Sequence, residues 1–508
     1  MTERMIVRGR WLIVDCETFV EDGAVLVEDE AIAEVGAWAD LRSRHPEAHV
    51  IGSESAAVLP GLINAHHHSA GATALQHGIP DLLLEPWLLM HARMRQGDPY
   101  LDTLLSAARL LRTGVTSVVE VHSGLGTPDA YAETCRRALT AYDEAGIRVA
   151  FAAGMRDQGY LVHGKDGDTA FLATLPADLR AEAEARLPAP GTLDQQDYFA
   201  IIEDLYSAYR NHPRIDVWFA PPGPPWVSDG FLQAIAEQAE ALDTGVQTHL
   251  EESFYEKLHG PREYGRATLS HLKALGVLGP RFSIAHGVWL SDPEVDMLAE
   301  SGAALSHNPS SNLRLRAGIA PLNALRAAGA TVALGMDGTT LDDDEDMFTE
   351  MRLALRLHRP PALDAPAPSP SDIFDLATRG GASLMRAETR LGRLAAGYLA
   401  DLVVIDLGRL CWPWVAPEAA PLDLLVYRAQ AGDVDTVLVG GRVVVRDGRP
   451  CLFDVEAAGR ELAGRLAGTP FPSEAVAYAE RLLPYLEAYY RSWDHGRTAP
   501  YTAYNSRC

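Results

Sequence analysis

Lysine is nearly missing from this 508-residue chain: Lys165, Lys257 and Lys273 are the only ones, and the remaining positive charge is arginine. The formal net charge is −25. A chain so acidic, without clustered Lys and Arg, is not built to wrap a nucleic acid polymer or an anionic membrane. Cysteine is sparse as well. Cys16, Cys135, Cys411, Cys451 and Cys508 are scattered and form no CxxC pair, which speaks against a disulfide framework and against a thiolate zinc site. No apolar run approaches the roughly 18 residues of a membrane span. The opening stretch MTERMIVRGRWLIVDCE lacks the apolar core and small-residue cleavage site of a secretory signal. A cytoplasmic, soluble protein is the expectation. Its length exceeds one small core, so a large barrel-type domain with a smaller companion is expected.

Residues 1–58 read as short strands and turns, with β-rich, partly alternating patterns in RMIVRGRWLIV and GAVLVEDEAIAEVG. LGRLAAGYLADLVVID and VDTVLVGGRVVVRDGRP, between 391 and about 450, read the same way. Two β-rich pieces at opposite ends predict one small β-sandwich domain built from 1–58 and 391–470. Strand and helix alternate between them, over 59–390. IDVWFAPP (215–222), VQTH (246–249), FSIAH (282–286), AALSH (303–307) and TVALGMD (331–337) are strand-like. SDGFLQAIAEQAEALDTG (228–245) is a helix capped by Ser228 or Asp229, and SDPEVDMLAESG (291–302) is another, with Pro early and Gly at its end. This rhythm predicts parallel βα units and an α/β fold, most simply a (β/α)8 TIM-type barrel. A doubly wound open sheet is the alternative, but no GxGxxG follows a strand to support it. Residues 471–508, containing LEAYYRSWD and PYTAYNSRC, read as a helix and an arm packed on a neighbouring subunit, so a homo-oligomer is expected.

Polar residues stand where the predicted strands end. His66 and His68 close VLPGLINAHHH; His249, His286, His307 and Asp337 close later strands at gaps of 37, 21 and 30 residues, each about one βα unit. In such a barrel the C-terminal strand ends share one mouth. Strand alternation puts His66 and His68 on one face and His67 on the other. An isolated HxH is more often a pair of buried, hydrogen-bonded histidines. A further strand-ending His and a strand-ending Asp at barrel spacing point instead to a metal centre. Three imidazoles and one carboxylate suit Zn²⁺ or Fe²⁺, with room for a reactive water, and zinc is the expected ion.

The blocks PGLINAHHH, THLEES, AHGVWLSDPEVDMLAESGAALSHNPSSNLRLRAGIAP, GMDG, DMFTEMRLA, ATRGGASLM and LGRLAAGYLADLVVID span nearly the whole chain. Together they resemble the amidohydrolase superfamily, in the branch of triazine hydrolases, guanine deaminase and S-adenosylhomocysteine deaminase-like enzymes, and they occur in family order. The resemblance implies a metal-dependent barrel with a flanking β-sandwich, and His66, His68, His249 and Asp337 as metal ligands. It also assigns chemistry to Glu252, three residues after His249, and to His286. Glu252 would move a proton from water to a ring nitrogen or leaving group. His286 would orient the hydroxide or stabilise the oxygen of a tetrahedral intermediate. Asp337 would serve as ligand and proton acceptor together. The bland alternatives are a solvated Glu252 in the acidic loop EES and a structural His286.

Binuclear members of that superfamily bridge two ions with a carboxylated lysine on strand four. RIDVWFAPP has no lysine, so one ion is expected, with Glu120 as a remote substitute for the bridge. Gln76, Glu85 and Trp87, after the first barrel strand, are substrate-wall candidates by resemblance; a core role for Trp87 is the competing reading. His122 is read as substrate-facing or supporting the site, and His307 with Asn308 as loop-fixing or near the substrate. APPGPPWVSD departs from the pattern, since relatives often carry a polar residue, frequently His, at Pro222, and Ser or Ala at Gly223. The acidic run DDDED (342–346) reads as a solvated loop, with attraction of a cationic substrate as the alternative.

The expected activity is hydrolytic deamination of an amino-substituted nitrogen heterocycle, such as a purine, pyrimidine, pterin or triazine. The rivals are removal of chloride, an alkylamine or a thiol, ring opening of a cyclic amide, and, from another class, a non-catalytic barrel scaffold.

Overall fold

The computed structural model describes residues 4–496 and 498, apart from 125 and 188–190. Its strands form two separate sheets of eight. β1 (Arg4–Ile13), β2 (Phe19–Glu28), β3 (Ala31–Ala37) and β4 (His49–Pro60) open the chain. The barrel strands follow: β5 (Leu62–His67), β6 (Val115–Ser123), β7 (Arg148–Gly154), β8 (Ile215–Phe219), β9 (Val246–Leu250), β10 (Phe282–His286), β11 (Ala304–His307) and β12 (Thr331–Leu334). β13 (Leu402–Asp406), β14 (Val434–Val439), β15 (Arg442–Arg446) and β16 (Arg449–Pro450) return to the first sheet.

That first sheet runs β16-β15-β14-β13-β4-β1-β2-β3. Strands from the two chain ends meet where β4 pairs antiparallel with β13. Val7, Leu12, Val25, Val58, Leu402 and Val404 bury one of its faces together.

β5 to β12 pair in chain order, every neighbour parallel. The ring is joined where the amides of Met336 and Asp337, just past β12, donate to the His66 carbonyl on β5 at 3.2 and 2.9 Å. Each strand is buried on both faces, as parallel strands under a helical layer must be. In β7, Val149, Phe151 and Ala153 face the helices, while Ala150 and Ala152 pack inward with Val119, Val121 and Trp218. Leu384, Met385 and Leu391 join that inner cluster near the strand starts. Gly381 allows this close approach, because a Cβ there would lie 2.6 Å from Ile63 Cβ.

The helix expected near the C-terminus spans Ser473–Arg491. It packs on its own chain: Leu482, Leu486, Tyr489 and Tyr490, with Trp493, bury against Phe171, Leu172 and Leu258. The expected arm PYTAYNSRC lies outside the described residues. Among the described residues no helix is long and apolar enough to cross a membrane.

Candidate metal centre and acid–base site

Local backbone irregularity aims the histidines of β5. From Asn64 to His67 the strand advances three residues while β6 advances two, from Val118 to Glu120. Ile63 and Ala65 belong to the inner lining, so strict alternation would send His66 outward. The bulge returns His66 to the interior and leaves His67 facing the helices.

Each of the three clustered histidines uses Nδ1 on an acceptor that cannot donate. His66 Nδ1 lies 2.8 Å from Gln247 Oε1, whose amide nitrogen is committed to the Ala65 carbonyl at 2.9 Å. His68 Nδ1 lies 2.8 Å from the Val121 carbonyl, and His249 Nδ1 2.7 Å from the Pro222 carbonyl. Every Nδ1 therefore carries its hydrogen and every Nε2 presents a lone pair. Those Nε2 atoms converge. His68 and His249 face each other at 3.1 Å, and the buried His66 Nε2 has no hydrogen-bond partner. Asp337 Oδ1 completes the set at 3.5 Å from His66 Nε2 and 3.4 Å from His68 Nε2. Ligands at zinc bond lengths of about 2.0–2.1 Å in a tetrahedron stand about 3.3 Å apart. Lone pairs opposed at this spacing repel one another unless a cation lies between them, so the donor set fits a metal ion. The triads His66–His68–His249 and His66–His286–Asp337 both keep their ligand atoms within 4.8 Å of one another.

Electrostatics agree with that reading. Burial holds His68 and His249 below the ordinary imidazole range, which keeps both neutral and able to ligate. Burial alone would raise the Asp337 carboxyl, but the surrounding imidazoles of His66, His286 and His68 hold it well below the usual range. Ser311 Oγ donates to Asp337 Oδ2 at 2.5 Å and is itself reached by Thr339 Oγ1 at 3.1 Å.

His286 and Asp337 both adopt left-handed backbone, with φ of 75° and 57°. For such residues this costs on the order of 1–3 kcal/mol and persists where the surroundings impose it. Here the Gly287 amide bonds the Leu250 carbonyl at 3.0 Å, and the Asp337 amide bonds His66. His286 Nδ1 meets Asn312 Oδ1 at 2.9 Å, with Asn308 Nδ2 at 3.3 Å. Its Nε2, buried and otherwise unpartnered, points to Glu252 Oε2 at 3.6 Å and Asp337 Oδ2 at 3.9 Å. Glu252 is 3% exposed, which rules out a solvated loop residue. Its carboxyl is pushed well above the usual range by burial, then by Glu256, Asp337 and Glu85.

His67 turns the other way. Its Nδ1 lies 2.9 Å from the Asp337 carbonyl and its Nε2 2.7 Å from Ser106 Oγ. Glu120 is fully engaged: one oxygen accepts from the Ser69 hydroxyl at 2.8 Å and the other from Tyr142 at 2.9 Å, so neither is left to bridge ions.

The substrate-wall candidates scatter. Glu85 is buried and accepts from the Ser253 hydroxyl, with burial pushing its carboxyl up to about 7. Trp87 stacks edge-on against His91 at 4.1 Å. Gln76 is exposed and accepts from the Thr73 amide at 2.8 Å within its own loop. His122 meets Thr134, on the helix Pro128–Ala145, at 3.3 Å. His307 pairs with His358 at 2.9 Å between their Nε2 atoms, on the outer side of β11. Asn308, by contrast, reaches His286. The acidic run is solvated only in part: Asp342 and Asp344 are exposed. Glu345 and Asp346 are buried, Glu345 pairs with Arg109 at 2.8 Å, and Asp346 caps the helix Met347–Leu357. Gln247, Ser311 and Asn312 escaped the sequence reading. Gln247 stands two residues before His249 on the same strand face, a signal alternation carries; the other two sit within SHNPSSN.

A closed parallel barrel whose strand ends gather histidines, an aspartate and a buried glutamate has the architecture of the metal-dependent barrel hydrolases. The chain belongs to the amidohydrolase family, whose profile matches residues 57–444. Residues 23–48 match an imidazolonepropionase-like composite domain of bacteria. The chain is 32% identical over 445 residues to a 5-methylthioadenosine/S-adenosylhomocysteine deaminase of Nitratidesulfovibrio vulgaris, covering 87% of this chain and 91% of that one. A 5'-deoxyadenosine deaminase of Methanothermobacter thermautotrophicus is also 32% identical, over 88% and 96% of the two chains. Among solved structures, an adenosine deaminase from Xanthomonas campestris with bound zinc superposes with a TM-score of 0.77 at 27% identity, over 92% of this chain and 99% of that one.

Proposed function

We propose that the chain is a hydrolytic deaminase that holds one divalent ion, zinc, and removes an amino group as ammonia from a small nitrogen heterocycle. The observation that carries this reading is the convergence of three imidazole lone pairs and one carboxylate oxygen beside the buried Glu252. His66, His68, His249 and Asp337 would hold the ion, which when bound supplies Lewis acidity that brings the pKa of water toward neutrality. Glu252 takes one proton from the attacking water and delivers it to the ring nitrogen. His286 holds the incoming oxygen through Nε2. Asp337, fixed by Ser311, takes the second water proton and passes it to the amine, which leaves as ammonia. Loss of a halide would need no such proton, so the buried acid favours deamination. The names of both deaminase relatives point the same way. A single ion is supported by the absence of lysine from Ile215–Phe219 and by the full engagement of Glu120.

Wild-type protein is expected to release ammonia from at least one member of a panel of aminated purines, pyrimidines, pterins and triazines. Glu252→Gln should lower that rate roughly 10²–10⁴-fold with metal retained. Silence across the panel, with hydrolysis of cyclic amides, would overturn the deaminase reading, and undiminished turnover would remove Glu252 from the chemistry. The same proposal keeps the domain plan of 1–58 with 391–470 around 59–390, supported by the shared sheet, with 471–508 as a helix and arm. It also takes the chain as a cytoplasmic homo-oligomer. Light scattering showing only a 55.0 kDa species would contradict the oligomer.

A further inference from the structure

Glu251, the residue before Glu252, adopts left-handed backbone with φ of 48°. A residue with a side chain keeps that conformation only where its surroundings impose it. The turn carries the chain off β9 and brings the Glu252 carboxyl to His286. Main-chain groups brace it on each side. The Gly287 amide donates to the Leu250 carbonyl at 3.0 Å, the Trp289 amide to the Glu251 carbonyl at 3.1 Å, and the Glu252 amide to Glu256 Oε2 at 2.6 Å.

The Glu251 side chain has an anchor that is rare in this protein. Lys165 and Lys273 are exposed, whereas Lys257, on the helix Phe254–Tyr264, is largely buried. Its Nζ donates to both oxygens of Glu251, at 3.1 and 2.9 Å, and also to Glu294 Oε2. Glu294 is itself fixed at the start of the helix Asp292–Ser301, where it accepts from the Ser291 amide at 2.9 Å. One ammonium therefore ties the loop after β9, which carries Glu252, to the loop after β10, which follows His286. Both carboxyls are buried, and among the described residues no other cation pairs with either. Without the ammonium they would be left together with no counter-charge. Lys257 pairs with neither Glu252 nor a ligand candidate among the described residues, so any effect it has on the centre passes through Glu251.

We propose that Lys257 is a positioning residue: by gripping Glu251 it holds the left-handed turn that sets the Glu252 carboxyl at the reacting centre. This inference rests on the reading of Glu252 as the group that moves protons in a heterocycle deaminase. A misplacement of about 1 Å can cost a reaction on the order of 100-fold. Lys257→Met is expected to lower kcat roughly 10–100-fold, with KM within about twofold and one zinc per chain retained. Glu251→Gly removes the grip, although glycine forms the turn freely, and should also lower kcat at constant KM. In that background Lys257→Met should change kcat by less than about twofold, because its partner is gone. An equal loss in both backgrounds, or a wild-type kcat in either single variant, overturns the proposal. Amide hydrogen exchange over 250–256 in zinc-loaded protein reads the grip without turnover. It should quicken by on the order of tenfold in Lys257→Met, with β10 and β11 as in wild type. Unchanged exchange, or acceleration spread over the whole chain, overturns the grip. Local acceleration together with no ammonia release by wild type from any aminated heterocycle sinks the deaminase reading and leaves the grip standing.

Discussion

Of the three adjacent histidines, His67 alone turns from the centre and engages the protein through both ring nitrogens. Its Nδ1 holds the carbonyl of Asp337, so it fixes the backbone of a ligand candidate without touching the ligand atoms. Strand alternation was enough to separate His67 from His66 and His68 in the sequence. Its partners were not legible, because Ser106 and Asp337 lie 39 and 270 residues away. Groups that orient metal ligands typically matter by about 10–100-fold. His67→Phe is therefore expected to lower metal affinity by that factor, measured by competition with a chromophoric chelator, while unfolding remains cooperative. Wild-type affinity in this variant would leave His67 as packing alone.

At the scale of elements, the strand ends were readable and their irregularities were not. FSIAH matches β10 residue for residue, and the helix expected over 291–302 spans Asp292–Ser301 behind a capping box of Ser291 and Glu294. No composition signal announces the β5 bulge or the left-handed turns at His286 and Asp337, since both are imposed by contacts from distant strands. The loop 342–346 misled in part, for a related reason. Five acidic residues read as solvated until Arg109, from the helix Pro99–Arg112, arrives to pair with Glu345. Arg109 also donates to the carbonyls of Ala70 and Gly71, tying the loops after β5 and β12 together. Removing one partner of a largely buried pair leaves the other charge unpaired. Arg109→Met should cost roughly 3 kcal/mol in urea unfolding. A loss under about 0.5 kcal/mol would return Glu345 to the status of a surface group.

On the scale of the molecule, the β-rich composition at both ends corresponds to one sheet to which both ends contribute strands. The strand order did not follow from it, because β1 pairs parallel with β4 across intervening chain. The buried pair of Arg148, at the start of β7, and Asp401, just before β13, locks that sheet to the barrel at 3.1 Å. The Asp401 carbonyl also receives the amide of Gly61, the one residue between β4 and β5. The barrel's reading survived because eight βα units impose a regular spacing on polar strand ends, whereas the packing of Ser473–Arg491 on its own chain depends on tertiary contacts. The account as a whole stands on one ion held at the four converging ligand atoms. The most direct test is zinc titration of chelator-stripped protein, with ammonia release followed on an active substrate. The account predicts no activity in the stripped protein and a linear rise to a plateau at one equivalent per chain. Full activity without metal, or a plateau reached only at two equivalents, would contradict it.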